Sequence, residues 1–308
     1  MQRFQNILYA STGVSPDTEG LHQALLLARQ HQAALQCLVV SPKLPARLQP
    51  YQDPFTRFLR THVEQALETA GRSLPSGPSA DKVPITVRAG SGSSAVSVIR
   101  HVLREKNDLL IKETDPTPAG SIAEIDQTLL RKCPCPLWLA RPLRHPWSEL
   151  RIAAAVDPGY REQVKEDLAV RILRVAAGLA GLNETSFDVV SCWDFEFDQY
   201  VHSKTRIPAA AAATIVNAQT AHSQEMERLI ETAALSGPFR ERRLRGRADT
   251  MIPLFADSQE LDVLVMGAEG QGGLFGFLSE RTAETILGAV QCSLLVLKPE
   301  DYLSPVRL

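Results

Sequence analysis

Five glycines fall within the stretch MGAEGQGGLFG (266–276), directly after the apolar run LDVLVM (261–266). Glycine lets successive backbone amides converge on an anion, and a following helix adds the favourable end of its dipole. The chemistry on offer is therefore a phosphate cradle. The commonest cradles do not fit. A P-loop needs Gly-Lys-Ser/Thr, and the chain has no Gly-Lys pair. A dinucleotide fingerprint needs G-x-G-x-x-G, and from Gly270 and Gly272 the third position is Phe275. What remains is Gly267-x-x-Gly270, then residues 271–279, then a helix opening Glu280-Arg281-Thr282-Ala283-Glu284.

Other reactive groups point to less. Cys133-Pro134-Cys135 leads into an apolar strand with no histidine close by, which reads as packing rather than a redox or metal pair. The seven histidines lack metal-ligand spacing, so no intrinsic metal is expected. RERRLRGR (240–247) carries five arginines, but a net charge of −2 favours a solvated strand edge over a nucleic-acid surface. No G-x-S-x-G elbow is present, and no Ser–His–Asp spacing stands out.

Positioning a cradle takes strands, and apolar runs of strand length alternate with helical periods throughout. The first half reads NILYAS (6–11), ALQCLVVS (34–41), ITVRAG (85–90), DLLIK (108–112) and PLWLAR (136–141), with helices predicted around 18–33, 55–73, 94–106 and 121–131. Ser15-Pro16 and the serines 91, 93 and 94 mark helix entries. The second half reads RIAAAVD (151–157), FDVVSCW (187–193), the arginine-rich strand, LDVLVM and SLLVLKP (293–299), with helices around 163–181, 209–235, 250–258 and 281–290. The run AAAAATIV (209–216) reads as a packed helix face. Such alternation predicts an α/β fold with a mostly parallel sheet.

The halves also match each other. An offset of 157 lays CPLWLARP (135–142) on CSLLVLKP (292–299), and an offset of 154 lays DLLIK on DVLVM (262–266). Two domains follow, residues 1–144 and 148–308, joined through PLRHPWSE (142–149). A composition of 44% hydrophobic and 22% charged residues suits two soluble cores. No apolar run approaches a membrane span, MQRFQNILYA is not a secretory signal, and five irregularly spaced cysteines fit reduced thiols. A cytoplasmic protein without nucleic-acid or membrane partners is expected.

Gly267-x-x-Gly270, its spacing to Thr282-Ala283-Glu284, LLRKCPCPLWLA and VQCSLLVLKPEDYLSPV together resemble the universal stress protein family, in its tandem E-type branch. The resemblance covers nearly the whole chain. It implies two Rossmann-like domains of the adenine nucleotide alpha hydrolase-like kind, each a mostly parallel five-stranded sheet flanked by helices. It also implies a pseudo-dimer of the domains within one chain, through 136–141 and 293–298, with room for a further homodimer. For the second domain it implies a small-molecule site for an adenine nucleotide such as ATP. Asp157 stands where the family places an aspartate near adenine and ribose, Cys192 at the second-strand position, Met266 and Gly267 against the base, and Gly270 at the loop's second glycine.

Glu280-Arg281 replaces the family's Gly-Ser/Thr. Glu280 repels phosphate, while Arg281 either offsets this with a bidentate contact or points into solvent, and Thr282 follows at the helix start. In the first domain Thr12 replaces the aspartate, Glu113 replaces the first glycine, and DPTPAGS (115–121) is too short for the loop. That domain is expected not to bind nucleotide in the family's way. The function implied is non-enzymatic stress response. A slow ATP-hydrolysing enzyme and a binder of apolar, lipid-like ligands are the rivals.

Overall fold

The computed structural model describes residues 3–14, 18–74, 83–91, 94–115, 117–118, 120–159, 162–193, 209–268 and 280–308. In chain order the elements are β1 (Asn6–Ser11), α1 (Thr18–His31), β2 (Ala34–Ser41), α2 (Gln52–Ser73), β3 (Ile85–Ser91), α3 (Ala95–Glu105), β4 (Leu109–Glu113), α4 (Glu124–Lys132) and β5 (Leu137–Ala140). There follow β6 (Ile152–Ala155), α5 (Gln163–Leu182), β7 (Phe187–Trp193), α6 (Ala209–Ala233), β8 (Phe239–Arg245), α7 (Ala248–Ser258), β9 (Val263–Gly267), α8 (Glu280–Ala289) and β10 (Ser293–Leu297). Short 3₁₀ turns at Ala46–Tyr51 and Trp147–Glu149 have no counterpart in the sequence reading. The predicted cap at Ser15-Pro16 lies outside the described residues.

The chain forms two compact units, residues 2–143 with 292–308, and residues 144–291. In the first unit the strands pair in parallel in the order β3-β2-β1-β4-β5, and β10 runs antiparallel along β5 with Leu294 opposite Leu139 and Val296 opposite Leu137. This is the strand pairing that the family resemblance implies for 136–141 and 293–298. In the second unit β9-β6-β7-β8 pair in parallel. Mostly parallel sheets flanked by helices are the α/β class that the alternation implies.

The inner strands are buried along most of their length, as parallel strands covered by helices must be. Helix α1 turns Leu21, Ala24, Leu25 and Ala28 inward at helical spacing, and α3 does the same with Ala95, Val98, Ile99 and Val102. Ser94 caps α3 by accepting from the Ser97 amide at 3.3 Å, as its place before the apolar run predicts. The outermost strand β8 is different. Arg240 and Arg242 reach the buried Asp188, Arg243 pairs with Glu241, and Arg245 lies 5.5 Å over the Trp193 ring. These arginines have protein partners and exposed stems, which suits a charged edge strand. The packed face expected over 209–216 is not found where it is described. Ala213 and Thr214 are exposed and Val216 is 58% exposed, whereas the buried residues of α6, Met226, Leu229 and Ala233, lie towards its other end.

A buried polar network explains why residues 292–308 belong with the first unit. Gln23 of α1 is fully buried; its Oε1 accepts from Trp138 Nε1 at 2.9 Å and from Ser293 Oγ at 3.1 Å, and its Nε2 donates to the Arg141 carbonyl at 2.7 Å. The Arg141 amide in turn donates to Ser293 Oγ at 3.0 Å. Beyond β10, Tyr302 Oη and Ser304 Oγ donate to the carbonyls of Arg131 and Lys132, satisfying the exposed end of α4.

The duplication is visible at atomic level. Asp108, before β4, accepts from the Gln5 and Asn6 amides at 2.6 and 2.9 Å. Its repeat partner Asp262, before β9, accepts from the Arg144, His145 and Arg151 amides at 2.7, 3.1 and 2.9 Å, and lies 2.9 Å from His145 Nδ1. Both carboxylates hold the chain that leads into the first strand of their copy. The linker is thus fastened to the second unit.

Among the described residues, five after helices adopt the left-handed conformation without being glycine: Gln32 (φ 56°), Lys106 (53°), Glu184 (55°), Ala234 (47°) and Glu260 (49°). Lys106 and Glu260 are again repeat partners. A Cβ there costs about 1–2 kcal/mol that glycine avoids. Ala234→Gly is expected to stabilise the protein by about 1 kcal/mol, read as a rise of about 3 °C in melting temperature.

Candidate functional site

Parallel strands deliver their carboxyl ends to one end of a sheet, where ligands of open α/β folds bind. In the second unit Ala155 of β6 lies opposite Val190 of β7 and Met266 of β9, and the Val156 amide continues the ladder to the Val190 carbonyl at 2.9 Å. Asp157, Cys192 and Gly267 each follow within two residues of these positions. The structure therefore brings Asp157, Cys192, Met266 and Gly267 to one end of the sheet. Met266 and Gly267 are buried, while Asp157 and Cys192 are half-buried. Arg281 and Thr282 lie in the first turn of α8, Arg281 exposed and Thr282 half-buried. Gly270 and residues 271–279 lie outside the described residues.

Asp157 Oδ1 accepts from the Gly159 amide at 3.0 Å. A Cβ on Gly159 would lie 3.3 Å from that oxygen and 3.6 Å from Glu225 Oε2, so two carboxylates flank this turn. Burial, with the charges of Asp157 and Asp249, pushes the Cys192 thiol up to about 12. At pH 8 Cys192 is expected to react with iodoacetamide roughly a thousandfold more slowly than an exposed thiol, because only the thiolate attacks. Asp157→Asn is expected to speed that reaction, which peptide mass mapping of the alkylated protein measures.

Sequence reasoning missed Lys165. It is 4% exposed, in the first turn of α5, with its Nζ 3.3 Å from Glu162. Its signal was a lysine in step with the buried Leu168, Ala169 and Ile172. Glu225 and Asp249 were also missed, since neither belongs to a local motif. His222 Nε2 lies 2.9 Å from the buried Ser191 Oγ, and burial lowers the imidazole pKa, which fits a satisfied packing histidine.

At the same end of the first unit the geometry differs. Glu113 ends β4 and its Oε2 accepts from the Gly20 amide of α1 at 2.9 Å. A Cβ on Gly20 would come within 2.9 Å of Tyr9 Oη and 3.0 Å of Glu113 Cβ, so only glycine admits this approach. A carboxylate from the chain already occupies the anion-favouring start of α1. Nearby, the buried Lys112 lies 2.9 Å from Asp126 and donates to the Glu113 carbonyl at 2.8 Å. Burial raises the Asp126 pKa against the opposing pull of Lys112.

Elsewhere in this unit Cys133 and Cys135 are buried with their sulfurs 3.6 Å apart, and the hydrogen bond between them together with burial holds the Cys135 thiol well above its usual value. Among the described residues no group of three or more His, Cys, Asp or Glu could hold a metal ion. Among the same residues no helix is long and apolar enough to cross a membrane.

The fold and the candidate site define a tandem α/β protein whose two copies treat the same strand end differently. The model of the Universal stress protein family matches residues 3–141 and again 151–298, and the chain belongs to that family. Among its relatives, universal stress protein E of Salmonella typhi is 25% identical over 229 residues, covering 68% of this chain and 67% of its own. Universal stress protein E of Escherichia coli K12 is 24% identical over 230 residues, covering 69% and 67%. Among solved structures, a functionally unknown protein of Pseudomonas aeruginosa PAO1 superposes with a TM-score of 0.71 at 23% identity, covering 97% of this chain and 94% of its own. A universal stress protein of Archaeoglobus fulgidus gives 0.65 at 13% identity, covering 96% and 98%. The chain carries the family's domain twice in tandem and is similar to the stress protein E relatives over about two thirds of its length.

Proposed function

We propose that this stress-response protein is a non-enzymatic cytoplasmic sensor that takes an adenine nucleotide, such as ATP, through its second copy alone. The observation that carries the reading is the contrast between equivalent strand ends. In the first copy Glu113 reaches the start of α1 at 2.9 Å from the Gly20 amide, whereas its repeat position in the second copy is Gly267, which has no side chain to place there. Asp157 accepts nucleoside hydroxyl or N–H groups, Cys192 offers its main chain, and Met266 and Gly267 face the base. Arg281 and Thr282, in the first turn of α8, meet the phosphates. Asp157 and Glu225 put two carboxylates on the described part of this rim, Asp249 being paired with Arg247, so weak binding is expected.

Calorimetry with ATP, with and without magnesium, tests the reading. Saturable one-site binding is expected, weakened at least about tenfold by Asp157→Ala and unchanged by Thr12→Ala. Absence of binding, or binding abolished by Thr12→Ala instead, would overturn it. Release of ADP on prolonged incubation would turn the sensor into a slow hydrolase.

A further inference from the structure

The first unit carries a second opening at its ligand end, one strand further out than the β1–β4 crevice that Glu113 occupies. It is an open cleft of about 400 Å³ between the ends of β2 and β3 and the start of α2. Ser41, Lys43, Gln52, Asp53, Thr56 and Gly90 line it. We propose that this cleft binds a small zwitterion of the α-amino acid class.

One wall is organised in advance. Ser41 is 3% exposed, and its Oγ accepts from Gln52 Nε2 and Thr56 Oγ1, both at 3.1 Å. Gln52 also donates to the Pro42 carbonyl at 3.1 Å and accepts from the Leu44 amide at 2.8 Å. These bonds fix the loop after β2 against α2 and use up the Thr56 donor, while the Ser41 hydroxyl donates to the Pro42 carbonyl at 3.5 Å. The acceptor lone pairs of Thr56 Oγ1 remain for an incoming N–H or O–H group. Gly90 leaves the β3 wall without a side chain.

The rim supplies the charges. Lys43 and Asp53 face the same cleft and make no ion pair with each other or, among the described residues, with any other group. Opposite charges that share a cleft without meeting match a ligand that carries both charges itself. Its carboxylate would go to the Lys43 ammonium, and its ammonium to Asp53 and Thr56 Oγ1. A polyphosphate would meet Asp53, and a dicarboxylate would leave Asp53 unpaired, so both are disfavoured.

Titration of the ¹⁵N-labelled full chain with L-glutamine, followed by NMR, tests this, with trehalose, succinate and glycine betaine as comparisons. L-glutamine is expected to shift the amide signals of Ser41, Thr56 and Gly90 saturably. Lys43→Met and Asp53→Asn are each expected to weaken it about tenfold. Betaine, which has no N–H donor, is expected to bind more weakly. Both variants alter exposed side chains, and unchanged signals elsewhere in their spectra confirm that they fold. No shift with L-glutamine, or equal shifts with trehalose or succinate, would overturn the proposal. So would variants that bind as the parent does.

Discussion

Asp262→Ala is expected to cost the second unit about 3–5 kcal/mol. The carboxylate is 1% exposed and serves three backbone amides and an imidazole, at 2.7 to 3.1 Å. Alanine removes every acceptor at once and leaves buried N–H groups to find water or open the structure. Asp262→Asn keeps one oxygen and is expected to lose roughly half as much. Denaturant unfolding measures the total, and hydrogen exchange at Arg144, His145 and Arg151 locates it. A loss below about 1 kcal/mol would show that water replaces the carboxylate without difficulty.

Gln23→Leu is the second large effect, expected at about 2–3 kcal/mol in the first unit. Leucine fits the volume of the site but removes the acceptor used by Trp138 Nε1 and Ser293 Oγ, and the donor to the Arg141 carbonyl. Amide protection over Ser293–Leu297 is expected to fall more than protection in β1 and β2. Combining Gln23→Leu with Ser293→Ala is expected to cost less than the sum of the two, since both break the same bonds. Strict additivity would show that the network is not a unit.

Strand runs were the most legible part of the chain. ALQCLVVS and FDVVSCW became β2 and β7 with unchanged ends, because β-branched and apolar residues buried on both faces leave no other reading. RIAAAVD was read to Asp157, yet β6 stops at Ala155, since ladder pairing ends before the turn that Asp157 makes with Gly159. The Ala-rich run at 209–216 misled, because apolar composition without an alternating polar stripe does not say which side is covered. The lone Asp108 and Asp262 could be aligned by the repeat, but their hydrogen-bonding role depends on segments brought together from afar. At the candidate site, Asp157, Cys192, Met266 and Gly267 could be found because strand ends are local features. Glu225 and Asp249 could not, since helices deliver them from elsewhere in the chain, and Lys165 left only the faint signal of a lysine in step with a buried helix face.

The placement of residues 292–308 also constrains how the protein is made. A ribosome that has released residues 2–143 has not yet supplied the partner of β5, and must first translate all of 144–291. Until then Gln23 and Trp138 lack Ser293, and the outer edge of β5 has no strand from its own unit to pair with. A nascent chain interrupted before Cys292 would therefore display a sticky edge in its oldest part, a mark by which proteases and chaperones can tell an unfinished copy from a finished one.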